Sequence, residues 1–217
     1  MKTLQSLEEQ LQEVRNEFEQ SQPPSVVRTQ VDFIEALRRL GVGERALGEG
    51  DSAPDFVLPD QVGAEVRLSD LLKIGNVVLS FFRGAWCPYC ETELQALHMA
   101  LPQIEAHNAR LVAVSPQTMD NTMSMAERLL LEYSVLADVG NEVAKQYGVA
   151  FEIPTEYREF HDSMAVISEY NGDTSYILPV PATYVIDRQG VIRYAYVNAD
   201  YTRRAEPTDV IDALSQI

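Results

Sequence analysis

The 217-residue chain reads as an α/β protein, a central mixed sheet flanked by helices and preceded by an N-terminal two-helix extension. Three observations predict it. Short apolar runs that suit buried strands, Val77-Val78-Leu79-Ser80-Phe81-Phe82 and Leu111-Val112-Ala113-Val114, alternate with longer stretches whose apolar residues recur at three- and four-residue steps. Glycine and proline punctuation sets in near Leu47, dividing a helical arm over residues 1–46 from a sheet-bearing domain over 47–217. The order strand, helix, strand, helix, strand, strand, helix is that of a layered α/β domain whose first strands run parallel.

The elements follow in order. Leu4, Leu7, Leu11, Val14 and Phe18 form one stripe of a first helix, which Pro23-Pro24 stops. Ser25 is placed to cap a second helix with Val27, Val31, Ile34, Leu37 and Leu40 on one side, and Gly41 to end it. The stripes suit either the chain's own core or a second subunit of a homodimer, and core packing is the commoner outcome for such helices. A hairpin is expected around Phe56-Val57-Leu58 and Val66-Arg67-Leu68. The strand Asn76 to Phe82 comes next, then a helix carrying Leu94, Leu97, Leu101 and Ile104 that Pro102 should kink or break. Helices are expected over Met119 to Leu131, Asn141 to Tyr147 and Pro207 to Leu214. The turn Asp187-Arg188-Gln189-Gly190 joins two antiparallel strands, while Gly148 to Leu178 shows no assignable period.

Composition excludes several classes. A formal net charge of −16 repels nucleic acid and anionic membrane surfaces alike. The amino terminus reaches Glu8-Glu9 before any apolar run and does not read as a secretory signal, and no stretch approaches a membrane span. With only two cysteines, a cytoplasmic, reducing setting is expected.

Those two cysteines carry the chemistry. They stand in Cys87-Pro88-Tyr89-Cys90, between a strand and the helix opening at Glu91. A helix start leaves backbone N–H groups unpaired, and these donors with the helix dipole favour a thiolate. At this spacing one sulfur can attack a substrate and the other resolve the adduct. A zinc site would need a second half, yet His98, His107 and His161 have no paired spacing, so no metal is expected. Helix geometry makes Cys87 the more exposed nucleophile. Trp86 and Tyr89 suit a substrate groove or plain aromatic packing, and Glu93 suits a proton relay or simple dipole placement. No glycine-rich phosphate loop is present, so no nucleotide or flavin cofactor is implied.

The run Ala53-Pro54-Asp55-Phe56-Val57-Leu58, the strand end Phe81-Phe82, the Cys-x-x-Cys, Glu93 and Pro181-Ala182-Thr183-Tyr184-Val185-Ile186-Asp187 together resemble the peroxiredoxin-like branch of the alkyl hydroperoxide reductase and thiol-specific antioxidant family, from about Gly48 onward. The resemblance implies a thioredoxin-like fold and reduction of hydroperoxides at the expense of thioredoxin or glutathione. It also implies a loop of proline, a hydroxyl residue and the peroxidatic cysteine, with an arginine from a distant strand. Registering Phe82 and Glu93 on that loop puts Arg83 at the proline, Cys87 at the hydroxyl position, Cys90 at the peroxidatic cysteine and Pro181 at the arginine. The usual activating partners are thus displaced. Arg83 either restores some positive charge or faces solvent. Trp86 and the Cys-Pro-Tyr-Cys tetrapeptide instead resemble thioredoxin and dithiol glutaredoxins, which implies a cis-proline at Pro181 and a Val180 backbone open to pair with substrate. The two resemblances assign opposite roles to Cys87 and Cys90.

The expected function is therefore a thiol-based antioxidant oxidoreductase cycling Cys87 and Cys90 between dithiol and disulfide, with a hydroperoxide as oxidant. A thiol-disulfide oxidoreductase acting on protein or glutathione disulfides is the alternative. A non-enzymatic redox-sensing module, signalling through the helical arm, is a second one.

Overall fold

The computed structural model describes residues 5–217, so Leu4 of the first stripe lies outside the described residues. Helix α1 (Leu7–Ser21) opens on a capping box: the Ser6 hydroxyl accepts from the Glu9 N–H and the Glu9 carboxylate accepts from the Ser6 N–H. Helix α2 (Pro24–Arg39) does not use Ser25 as its cap. Pro24 takes the first helical position, where its fixed φ suits the helix and its missing N–H costs nothing. Gly41, at φ +66°, ends α2 in a Schellman turn, with Gly41 N–H donating to Arg38 and Val42 N–H to Leu37.

The buried face of α2 is Gln30, Phe33, Ile34, Ala36 and Leu37, while Val31 and Leu40 are exposed. The helix is turned from the expected stripe so that Phe33, fully buried, meets Tyr157, His161 and Tyr201. An aromatic ring buries more surface than either aliphatic side chain it displaces. Both arm helices pack on the chain's own core, with Leu7, Leu11 and Leu37 joining Leu94, Leu97 and Val210.

Strands β1 (Val57–Pro59) and β2 (Glu65–Arg67) form the expected hairpin, with Leu58 opposite Val66. Leu68, read as its last extended residue, instead begins helix α3 (Leu68–Ile74). The Asp55 carboxylate reaches across to accept from the Ser69 N–H at 2.8 Å, a cap from outside the helix that local pattern does not reveal. Strand β3 (Asn76–Phe81) is buried throughout and leads to helix α4 (Pro88–Ala106), which runs unbroken through Pro102. Then come β4 (Ala109–Ser115), α5 (Met119–Arg128) and β5 (Ser134–Ala137), the last an unforeseen strand. Leu130 at φ +52° closes α5 short of the expected Leu131.

The unassigned stretch resolves into short pieces. Helix α6 (Glu142–Gln146) precedes β6 (Ala150–Glu152), a 3-10 turn (Thr155–Tyr157), α7 (Arg158–Met164), α8 (Ile167–Asn171) and β7 (Ile177–Pro179). Strands β6 and β7 pair antiparallel, Phe151 facing Leu178. Strands β8 (Ala182–Ile186) and β9 (Ile192–Val197) form the predicted antiparallel pair, and α9 (Pro207–Leu214) follows.

The main sheet has strand order β5-β4-β3-β8-β9, with β3, β4 and β5 parallel and β8 and β9 antiparallel. Alternation along the strands divides its two faces. Val78, Ala113, Val135 and Val185 point to α4 and the arm, whereas Val77, Leu79, Phe81 and Tyr184 point to Leu68, Val143 and Tyr147. The result is a thioredoxin-like layering, with the end of β3 feeding α4. No described helix is long and apolar enough to cross a membrane.

Candidate active site

The loop from β3 to α4 is shaped by its small residues and by a tie from β4. Gly84 sits at φ +152° beneath the Trp86 indole, where a Cβ would lie 2.5 Å from Trp86 Nε1. Buried Gln117, beyond β4, accepts from the Ala85 N–H at 2.9 Å. Cys87 is the N-cap of α4 and Pro88 its first helical residue. The Cys87 carbonyl accepts from Cys90 and Glu91, so the pair brackets the first helical turn as the sequence implied. Both cysteines are free thiols.

Neither sulfur is at the surface. Cys87 is 1% exposed and Cys90 fully buried, so the expectation of an exposed Cys87 needs correction. Cys87 faces a cavity of about 150 Å³ that does not include Cys90 among its lining residues. Its walls come from four parts of the chain. The active-site loop and α4 supply Arg83, Trp86 and Tyr89, the arm supplies Phe18 and Gln30, and α7 with Tyr201 completes it through Phe160, His161 and Met164. Trp86 and Tyr89 thus line the recess, and Tyr89 also stands edge-on to Tyr201. A larger open groove, of about 910 Å³ and lined by Asp187, Arg188 and Asp209, contains neither cysteine.

Arg83 does not face solvent. Its guanidinium lies 3.9 Å from the Tyr201 ring centre and 4.6 Å from that of Trp86, with Nη1 3.9 Å from Cys87 Sγ. Aromatic faces hold a guanidinium without neutralising it, so its charge remains available to the sulfur. A second guanidinium serves Cys90. Arg204 places Nη2 3.3 Å from Cys90 Sγ and Nε 2.6 Å from a Glu93 carboxylate oxygen, and both members of this ion pair are 1% exposed. Its Nη1 donates to the Tyr201 and Arg203 carbonyls, and the Thr183 hydroxyl lies 3.4 Å from the other Glu93 oxygen.

These surroundings separate the two thiols. Burial alone raises the pKa of Cys87, but the Cys90 thiol hydrogen bond and the charges of Arg83 and Arg204 outweigh it and hold Cys87 down to about 6. Burial and the neighbouring Cys87 sulfur push Cys90 well above its ordinary value despite Arg204. Glu93 is raised by burial to about 7, its attraction to Arg204 notwithstanding. Alkylation of Cys87 by iodoacetamide should therefore rise with pH to a plateau with a midpoint near 6. Below the midpoint the proton returns to sulfur and the rate falls about tenfold per pH unit. A midpoint near the ordinary thiol value would contradict this arrangement.

Val180 and Pro181 do not sit as expected. No peptide bond among the described residues is cis, and both residues are buried. The Val180 N–H already donates to the Val149 carbonyl at 2.8 Å, so it is not free to pair with a substrate strand. The β6–β7 ladder that continues into this contact arises from the stretch that gave no sequence signal. Arg204 is the second arginine of Tyr201-Thr202-Arg203-Arg204, a segment that resembles one recurring in this branch of the family and reads nearly as well as a solvated polar loop. Three tyrosine, threonine and arginine side chains of that segment are nevertheless buried, Tyr201, Thr202 and Arg204.

Residues 49–195 match the AhpC/TSA family. Thiol-disulfide oxidoreductase ResA of Geobacillus thermodenitrificans is 29% identical over 68% of this chain and 68% of its own length. Peroxiredoxin Q of Suaeda salsa is 28% identical over 70% of this chain and 61% of its own. The chain thus spans about two thirds of the length of these curated relatives. Among solved structures, peroxidoxin BcpB of Mycobacterium tuberculosis superposes with a TM-score of 0.62 at 26% identity, over 79% of this chain and 98% of that one. The fold, the helix-start cysteine pair and the family match agree: the chain belongs to the AhpC/TSA family.

Proposed function

We propose that the protein is a thiol peroxidase in which Cys87 is the peroxidatic and Cys90 the resolving cysteine. The observation that carries this reading is Cys87 facing a small cavity beside a buried guanidinium that pairs with no carboxylate among the described residues. The Cys87 thiolate attacks the terminal oxygen of a hydroperoxide; the S–O bond forms, the O–O bond breaks, and the leaving alkoxide takes a proton to become an alcohol. Arg83 stabilises the charge moving onto the leaving oxygen. Cys90, deprotonated, then attacks the Cys87 sulfur; the S–S bond forms and hydroxide leaves as water. Arg204, which donates to Cys90 Sγ at 3.3 Å and is paired with Glu93, favours the Cys90 thiolate, and the proton that Cys90 gives up leaves with the hydroxide as water.

The disulfide is reopened by an external thiol of thioredoxin or glutathione type, which fits a cytoplasmic setting. Relation to a thiol-disulfide oxidoreductase favours a second reading, exchange with disulfide substrates. Burial of both sulfurs weighs against a protein disulfide reaching Cys87 in this conformation. Mixing reduced protein with stoichiometric tert-butyl hydroperoxide tests the choice. One intramolecular disulfide per peroxide consumed is expected, by mass and thiol count. Unchanged thiols with peroxide, alongside rapid mixed-disulfide formation with oxidised glutathione, would establish the second reading instead.

A further inference from the structure

The cavity at Cys87 holds polar atoms whose hydrogen-bonding capacity is unused. Among the described residues that line it, Arg83 Nε and Nη2, Trp86 Nε1, His161 Nε2 and the Tyr89 hydroxyl, which can donate or accept, are buried with no partner. Unmade hydrogen bonds of buried groups are costly, and such groups at a cavity wall indicate what an occupant must supply. Arg83 and Trp86 can only donate, so the occupant must carry acceptor atoms.

His161 sets the opposite requirement. Its Nδ1 lies 2.9 Å from the Tyr157 carbonyl oxygen, which can only accept, so Nδ1 carries the proton. Burial and the Arg83 charge lower its pKa to about 3, leaving the ring neutral. A neutral ring protonated at Nδ1 presents Nε2 as a bare acceptor. The occupant must therefore also bring one donor.

A hydroperoxide has two oxygens that accept and one O–H that donates, whereas a disulfide has no donor at all. We propose that His161 Nε2 accepts the hydrogen bond from the hydroperoxide O–H while Arg83 donates to its oxygens, making His161 a substrate-positioning group for the peroxidase reaction. This rests on the peroxidase reading above. The acceptor turns the terminal oxygen, the one bearing hydrogen, toward the Cys87 sulfur. That hydrogen stays on its oxygen as the S–O bond forms and the O–O bond breaks, and ends in the sulfenic acid. The alkoxide leaves on the Arg83 side, where the guanidinium steadies its charge until it takes a proton from water.

The test compares His161→Phe, which keeps a ring against Phe33 and Phe160 but has no acceptor, with His161→Gln, whose amide oxygen can take the place of Nε2. For His161→Phe, kcat/KM with tert-butyl hydroperoxide should fall by about 10- to 100-fold, the cost of one unmade buried hydrogen bond. Iodoacetamide alkylation of Cys87, which needs the thiolate but no acceptor, should stay within about twofold, since the groups that hold the Cys87 pKa down are Cys90, Arg83 and Arg204, all kept in the variant. His161→Gln should recover most of the loss. Should His161→Phe not fold, His161→Met carries the same comparison against His161→Gln.

Equal peroxide rates in His161→Phe and the unaltered protein would overturn the inference alone. So would a parallel fall in peroxide and alkylation rates, which marks a purely structural role. No reaction of the unaltered protein with the peroxide would overturn the peroxidase reading and this inference together.

Discussion

Cys87→Ser is expected to lower kcat/KM for hydroperoxides by on the order of 10⁴-fold or more, because Cys87 is the one thiol among the described residues lining the cavity and the Met164 thioether there is a far weaker nucleophile than a thiolate. Cys90→Ser should behave differently. It should consume one equivalent of peroxide and stop, with one oxygen added on Cys87, since the sulfenic acid then has no partner thiol. The asymmetry follows from the site. Cys87 faces the cavity and is held ionised by Arg83, whereas Cys90 lies behind it against Arg204 with its proton retained. A sulfenic acid trapped on Cys90 in the Cys87→Ser protein would reverse the assignment, and quantitative mass spectrometry after dimedone labelling distinguishes the two.

Arg204→Met should be the most damaging change away from the sulfurs. Breaking a buried ion pair by removing one partner costs about 3–5 kcal/mol, because the other charge is left without compensation. Glu93, already raised to about 7 from an ordinary 4.5, would rise further without its guanidinium. The sign of the pH dependence follows. A carboxyl whose folded pKa is raised helps the fold below its unfolded value, and that help is lost as pH rises through the folded value. The variant should therefore lose more stability at pH 8 than at pH 5, read by urea unfolding at both. Adding Glu93→Gln should restore much of the loss at pH 8 and flatten the profile. An Arg204→Met protein as stable as the parent at pH 8 would show that the pair does not hold this region. Resolution should also slow, measured as the rate of Cys87–Cys90 disulfide formation after peroxide, since Cys90 loses the cation that favours its thiolate.

Much of the fold was legible because it rests on local regularity. Strands β3 and β4 are short apolar runs, α4 carries apolar residues at helical spacing, and Asp187-Arg188-Gln189-Gly190 closes a hairpin whose Asp187 carboxylate accepts from Gln189 and Val191. The misreadings occurred where distant contacts supply the stabilisation. Helix α3 is capped by Asp55 from outside it. Strand β5 is short and is fixed by pairing with β4, and the pieces between Gly148 and Leu178 are held by one another and by the arm. The second arm helix showed its existence but not its rotation, because which face turns inward depends on the aromatic cluster it meets.

By itself the sequence determined the chemical device: two cysteines bracketing the first turn of a helix at the end of a buried strand, in a chain of this family. Those features depend on neighbours within a few residues, where propensity, capping and alternation act. The tertiary structure decided what the device can do. It brings Arg83 between Trp86 and Tyr201, carries Arg204 from the far end of the chain to Cys90 and Glu93, and lays Phe18, Gln30 and His161 around Cys87. Charge acts through space at a few ångströms, so the residue that sets a thiol's acidity can lie a hundred positions away. Sequence order holds no record of that distance.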